Sequence, residues 1–222
     1  MGIFDSLKKS RPPIEECGEA MDVLSDDEFV LDPKYFEWGF ADTPKIKLRK
    51  SVLEKLREAR GVLPDGWNFK VWDGFRTLTT QKAVYMDYLE RLEHENPSWS
   101  DEKLREKVEI FVAPASHDKS LPSPHNTGAT VDLTLVDASG SEIDMGTEFD
   151  EFREASYSDH FADADEESEA AIWHANRLIL REAMEKIGFT NYHDEWWHFS
   201  FGTQEWADQT GADKAVYGSV EL

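Results

Sequence analysis

The sequence predicts an α+β fold, with helices packed around a small, mainly antiparallel sheet. Three observations predict it. Segments of helical and of strand periodicity are interspersed, without the regular strand–helix–strand alternation that builds a parallel sheet. Residues 131–136 are apolar apart from Asp132 and Thr134, a run of strand length. Residues 195–201 form another short run, rich in aromatic residues. The chain has 222 residues, 40% of them apolar, with eight Trp and thirteen Phe, which suffices for one domain with a full core.

Each element has a local reason. Residues 1–30 show no periodicity and are expected as a poorly ordered leader. Tyr35, Phe36, Trp38 and Phe40 predict an extended segment, within 31–50, that packs onto the domain. Ser51 and Glu54 have capping-box spacing. They open a helix to about Arg60, with Val52, Leu53, Leu56 and Ala59 on one face and Gly61 as its stop. After a turn at Pro64-Asp65-Gly66, Trp67, Phe69 and Val71 alternate with Asn68 and Lys70, which predicts a strand over 67–72. Asp73-Gly74-Phe75-Arg76 closes it. Thr77 or Thr79 caps a helix through Ala83, Val84, Tyr88, Leu89 and Leu92 that ends before Pro97. Ser98 or Ser100 caps another, through Leu104, Val108 and Phe111. A loop with Pro122 and Pro124 leads into a strand over 130–136, and Gly140 marks the turn after it. A long helix over about 166–186 carries Ile172, Trp173, Leu178, Ile179 and Ala183; its acidic start suits the helix dipole and Gly188 ends it. Residues 195–201 make the last strand, and 204–222 read as a loosely held tail. The predicted domain is therefore 31–203.

Charge limits the partners. With 46 Asp and Glu against 24 Lys and Arg, the net charge is −22, which repels nucleic acid and anionic membrane surfaces. The excess peaks over 137–169, where Arg153 is the one base; such a run reads as a solvated face. No run of eighteen apolar residues is present, so no membrane span is expected. The first thirteen residues lack the apolar stretch of a secretory signal. Cys17, the one cysteine, has no internal partner and lies among acids, unsuited to activating a thiol.

The chemistry gathers in two motifs. His125 precedes Asp132 by seven residues, and Glu195 precedes His198 by three. Two histidines and a carboxylate commonly hold a catalytic zinc while leaving its fourth position open. Glu195 is then left over, and a free carboxylate beside such a metal is what a hydrolase needs. On a strand an offset of three points side chains to opposite faces, so a twist, a bulge or the strand's start must bring Glu195 and His198 together. His193, two residues before Glu195, is a further histidine at this place. Trp196 and Trp197 suit a pocket wall and core equally well.

Four stretches in order carry a family resemblance. They are Trp-Asp-Gly-Phe-Arg ending at Arg76, Ser-x-His-x-x-Gly-x-x-x-Asp over 123–132 followed by Leu-Thr-Leu, Met-Gly-Thr-Glu-Phe-Asp ending at Asp150, and Glu-Trp-Trp-His over 195–198. Over residues 31–203 the chain resembles the D-alanyl-D-alanine dipeptidases of the vancomycin-resistance type, zinc peptidases grouped with D,D-carboxypeptidases and some phage endolysins. The resemblance implies a single zinc ion held by His125, Asp132 and His198, in a sheet that carries the zinc site. It implies Glu195 as general base and then acid, and Arg76 facing the scissile carbonyl and its oxyanion. It implies that Ser123 and Asp150 hold the dipeptide. From the residues alone, Ser123 equally serves to fix its loop and Asp150 to cap a helix. It further implies a cytoplasmic enzyme whose partner is a small dipeptide. Thr77 stands where the family usually has Pro, and Thr130 where it has Ala; both bear on loop shape and so on specificity.

Two other readings compete. A D,D-carboxypeptidase or endopeptidase acting on peptidoglycan stems needs an open groove and export, and its acidic surface would sit poorly beside anionic wall polymers. A non-catalytic zinc or ligand-binding protein on the same scaffold has no use for Glu195. The sequence leaves the oligomeric state open.

Overall fold

The computed structural model describes residues 11–220. In chain order the strands are β1 (Met21–Val23), β2 (Val30–Leu31), β3 (Lys47–Arg49), β4 (Asn68–Asp73), β5 (Thr130–Val136), β6 (Thr190–Asn191) and β7 (His198–Ser200). The helices are α1 (Lys34–Glu37), α2 (Lys50–Arg60), α3 (Leu78–Glu95), α4 (Asp101–Phe111), α5 (Glu169–Lys186) and α6 (Gln204–Thr210). The main sheet has the order β2-β4-β5-β7-β6. Only β2 runs parallel to its neighbour, and every other pairing is antiparallel. The fold is α+β, as its interspersed periodicities require.

β5 lies at the centre, and all seven of its residues are buried. That explains its apolar run: a strand covered on both faces needs no alternation. Val131, Leu133 and Leu135 join Leu53 and Leu56 of α2 and Leu180 and Met184 of α5 in one core cluster. Each such side chain contributes about 1.5–3 kcal/mol by leaving water. Thr130 Oγ1 meets Ser200 Oγ at 3.0 Å across the strand pair, whereas the buried Thr134 hydroxyl has no hydrogen-bond partner.

Sheet register aligns the functional residues. Asp132 pairs with Asp73 of β4 on one side and with His198 of β7 on the other. The β4–β5 register shifts between Val71 and Asp73. A bulge of this kind re-aims a side chain at a strand end, here the Asp73 carboxylate.

Several local expectations change in three dimensions. The capping box at Ser51 and Glu54 does not form. β3 runs straight into α2, Arg49 takes the N-cap position without a side-chain bond, and the Ser51 hydroxyl is donated to Glu19 instead. The segment within 31–50 is not simply extended, since it holds α1 and β3. The expected leader is part of the fold from residue 11: β1 pairs with β3, and Phe29 is buried. Residues 1–10 of that leader lie outside the described residues. The expected tail carries α6 and buries Ala207, Ala215 and Tyr217. The two ends reach order by meeting, with Glu15 N donating to the Ala215 carbonyl at 2.9 Å. Thr77, Ser100 and Ser168 are the side chains that cap α3, α4 and α5. The last strand is shorter than 195–201, because residues 195–197 form a turn that leads into β7.

Candidate metal centre

His125 sits in a single 3-10 turn, Pro124–Thr127, that ends at Gly128. Gly128 has φ +70, and a Cβ there would stand 2.8 Å from the Met21 sulfur. Both facts require glycine. The ring is oriented from behind: Nδ1 lies 2.8 Å from the Gly74 carbonyl and 3.1 Å from Asp73 Oδ2. Its Nε2 therefore faces forward, 3.3 Å from Asp132 Oδ2 and 3.3 Å from His198 Nδ1. Gly74 admits no side chain either, since a Cβ would meet the Lys47 carbonyl at 2.6 Å.

The turn before β7 resolves the offset of three. Glu195 N donates to the Tyr192 carbonyl and His198 N to that of Glu195, so the chain coils before it extends. Glu195 Oε2 then lies 3.3 Å from His198 Nδ1, which is itself 3.1 Å from Asp132 Oδ1. One ligand atom each from His125, Asp132 and His198 lies within 4.8 Å of the others, and all three residues are buried.

This donor set fits a metal ion. Asp132 Oδ1 is buried and, beyond the 3.1 Å approach of His198 Nδ1, has no partner. Buried carboxylate oxygens are otherwise satisfied, and a divalent cation among two imidazoles and a carboxylate would satisfy this one. The electrostatics agree. Burial opposes ionisation of Asp132, yet His125 and His198 hold its carboxyl far below the ordinary range. Burial opposes the charge on His198 too, but Asp132 and Glu195 push its pKa up to about 10. The site thus stabilises positive charge at His198, and a metal takes the place of a proton when it binds. Burial, with help from Asp132 and against His198, raises the Glu195 carboxyl above its ordinary value.

Arg76 is buried at the end of β4 and held from several sides. Its Nε donates to Asp73 at 2.9 Å and one terminal nitrogen to Gln81 at 3.1 Å; the other lies 3.6 Å from Asp132. The guanidinium stacks over Tyr35 at 4.2 Å. Burial opposes its charge, but Tyr35, Asp73, Asp132 and Asp150 raise its pKa further. Asp150 adopts φ +58 and accepts the Tyr35 hydroxyl at 2.8 Å. Burial first, then Asp132 and Glu195, lift its carboxyl well above the usual range against Arg76.

These groups line a cavity of about 380 Å³, large enough for a small peptide. Glu195, Arg76, Asp150, His125, Asp132 and His198 all face it, as does Ser123. The Ser123 hydroxyl is spent on its own loop, donating to the Pro114 carbonyl at 2.8 Å. Trp196 and Trp197 are both core and line none of the cavity: Trp196 Nε1 donates to Thr147 and its ring meets Trp72, while Trp197 packs on Phe149. His193 lines the cavity rim, exposed and paired with Asp194. Sequence reasoning missed Asp73, Tyr35 and Gln81. Asp73 had a signal, its place in the motif that ends at Arg76; Tyr35 reaches Asp150 across 115 residues and had none.

The profile of the D-ala-D-ala dipeptidase family matches residues 40–215. The chain belongs to this peptidase family. A D-alanyl-D-alanine dipeptidase of Synechocystis sp. is 30% identical over 236 residues, covering 94% of this chain and 95% of the relative. One from Enterococcus faecalis is 30% identical over 187 residues, covering 80% of this chain and 88% of its own. Among solved structures, a vancomycin resistance D,D-pentapeptidase in complex with Zn(II) covers 92% of this chain and 90% of its own, with a TM-score of 0.48 and 15% identity.

Proposed function

We propose that this chain hydrolyses D-Ala-D-Ala, or a similar small dipeptide, with zinc held by His125, Asp132 and His198. The convergence of those three ligand atoms, with the Glu195 carboxylate 3.3 Å from one of them, carries the reading. Zinc bound there supplies Lewis acidity, which makes a water acidic enough to ionise near neutral pH and polarises the scissile carbonyl. Glu195 takes the proton of the attacking water and delivers it to the leaving amine nitrogen, a contribution of about 10²–10⁴-fold. Arg76, fixed by Asp73 and Gln81, donates to the oxygen that gains charge at the reacting carbon. Asp150, fixed by the Tyr35 hydroxyl, accepts the substrate's α-ammonium. Asp73 and the Gly74 carbonyl keep the His125 ring turned so that Nε2 faces the site. The proposed enzyme is cytoplasmic, acting on the free dipeptide before it enters cell-wall precursors, as the family resemblance implies. Among the described residues no helix is long and apolar enough to cross a membrane.

The test is D-alanine release from D-Ala-D-Ala by the zinc-loaded protein beside Glu195→Gln. The wild type releases D-alanine, a chelator stops it, and added zinc restores it. Glu195→Gln keeps zinc and slows release about 10²–10⁴-fold. Undiminished release by the variant removes Glu195 from the chemistry. Faster cleavage of a stem pentapeptide than of the dipeptide moves the substrate to peptidoglycan.

A further inference from the structure

The cavity has a second arginine. Residues 11–15 lie along the C-terminal segment: Gln204 Nε2 donates to the Pro12 carbonyl at 2.9 Å, Ala215 N to that of Pro13 at 2.9 Å, and Ile14 bridges Ala215. This strap places Arg11 in the cavity wall. Its charged neighbours are Glu205 and Asp208, whereas those of Asp150 are Arg76, Asp132 and Glu195. Glu205 in turn is a neighbour of His198 and His125. Arg11 thus enters the cavity wall on the strap beside α6, which carries Glu205 and Asp208, whereas Asp150 enters it bonded to Tyr35.

A dipeptide brings two charges, an ammonium and a carboxylate. Asp150 answers the first. The second must enter a cavity whose wall also carries Glu109, Asp194, Glu205 and Asp208. An anion there is repelled unless a cation meets it. Among the described residues no lysine lines the cavity, and Arg76 is committed to the oxygen that gains charge at the reacting carbon. Arg11 is half-buried, and among the described residues no carboxylate closes a salt bridge on it. Burial lowers its pKa against the pull of Glu205 and Asp208, the mark of a cation short of full compensation. A guanidinium presents a planar fork of donors that matches a carboxylate, with further donors left for Glu205.

We infer that Arg11 is the residue that reads the free C-terminal carboxylate of the substrate. The inference rests on the dipeptidase reading and deepens it. It gives a physical reason for preferring a dipeptide to an internal peptide bond: the residue after an internal scissile bond carries an amide where the dipeptide carries a free carboxylate.

The test compares D-Ala-D-Ala with its C-terminal amide, on full-length, zinc-loaded wild type, Arg11→Gln and Arg11→Lys. The wild type prefers the free acid. Arg11→Gln raises KM for the acid roughly 10- to 100-fold, the range for a lost hydrogen-bonded charge contact, with kcat near wild type. Its rate on the amide is unchanged, and Arg11→Lys recovers part of the preference. A variant that loses acid and amide rates alike, or that keeps the preference, overturns the inference, since a merely structural strap would not distinguish the two substrates. A binding arm is independent of turnover: calorimetric affinity of D-Ala-D-Ala for Glu195→Gln must fall when Arg11→Gln is added, and an unchanged affinity overturns the inference as well. A wild type that hydrolyses neither substrate overturns the dipeptidase reading instead.

Discussion

The inner wall of the cavity and its outer wall hold charge in opposite ways. On the inner wall, built from the ends of β4, β5 and β7, Asp73, Arg76, His125, Asp132, Glu195 and His198 are all buried and sit within hydrogen-bonding or ion-pairing distance of one another. On the outer wall, Arg11, Asp194 and Glu205 are half-buried and Asp208 is exposed. The inner groups are fixed by sheet register, which sets Asp73, Asp132 and His198 in one row. The outer groups come from the two chain ends and from loops. Reacting atoms need positions held to fractions of an ångström, and a sheet supplies them. Selecting a substrate by its charge needs only a cation or an acid in the right region, which segments with their own freedom can provide.

The largest effect that separates the walls is expected at Asp132. Asp132→Ala removes one ligand and the charge that offsets two histidines, so zinc content by elemental analysis falls to background and catalysis goes with it. A variant that keeps its zinc puts the metal elsewhere. Arg177→Met follows. Arg177 is buried in α5 and donates to the carbonyls of Met145, Ala155 and Tyr157 at 2.8–2.9 Å. That clamps the segment carrying Asp150 at its positive φ. Leaving those carbonyls unpaired costs about 2–4 kcal/mol of stability in a denaturant titration, with zinc affinity intact. A loss of zinc affinity would mean that the walls are not separable at this point. Asp73→Asn is expected to act in the reverse sense. It weakens the hold on the back of the His125 ring and lowers zinc affinity by about 10- to 100-fold in a competition titration.

What the sequence revealed follows the same division. β5 was legible because a centrally buried strand is largely apolar, and the cluster of His125, Asp132, Glu195 and His198 was legible because each pair lies within one short motif. Glu195 and His198 carried a puzzle, an offset of three in a stretch that reads as strand. The turn at 195–197 resolves it, and no local pattern announces that turn among aromatic residues. The capping box at Ser51 was a true local signal that lost to a tertiary one, since Glu19 competes for the hydroxyl. Tyr35 and Arg11 reach the cavity only through contacts far apart in the chain, whereas Gln81 holds Arg76 from five residues on. The sequence neighbours of Tyr35 and Arg11 carry no trace of the cavity.

The smallest effect tests whether the chain ends dock as one unit. Tyr217 donates its hydroxyl to Glu19 at 2.9 Å, and Arg49 stacks over its ring at 5.3 Å. Arg49 also binds the carbonyls of Glu19 and Thr127, so the docked ends lean on the turn that carries His125. Tyr217→Phe removes one hydrogen bond and keeps the ring, which costs about 1 kcal/mol. The pH dependence has a definite sign. Burial raises the Glu19 carboxyl, but the hydrogen bonds from Ser51 and Tyr217 and the nearby Arg49 outweigh it and hold its pKa below the ordinary value. A depressed carboxyl contributes stability above its unfolded pKa and loses it as pH falls through the folded one. The gap between wild type and Tyr217→Phe in thermal unfolding therefore narrows in acid below the ordinary carboxyl range. A gap that widens there would remove Glu19 as the partner. If the ends serve selection and not chemistry, kcat at neutral pH stays at the wild-type value in Tyr217→Phe and any loss appears in KM. A fall in kcat would show that the outer wall helps to hold the reacting groups, through Arg49 and the His125 turn.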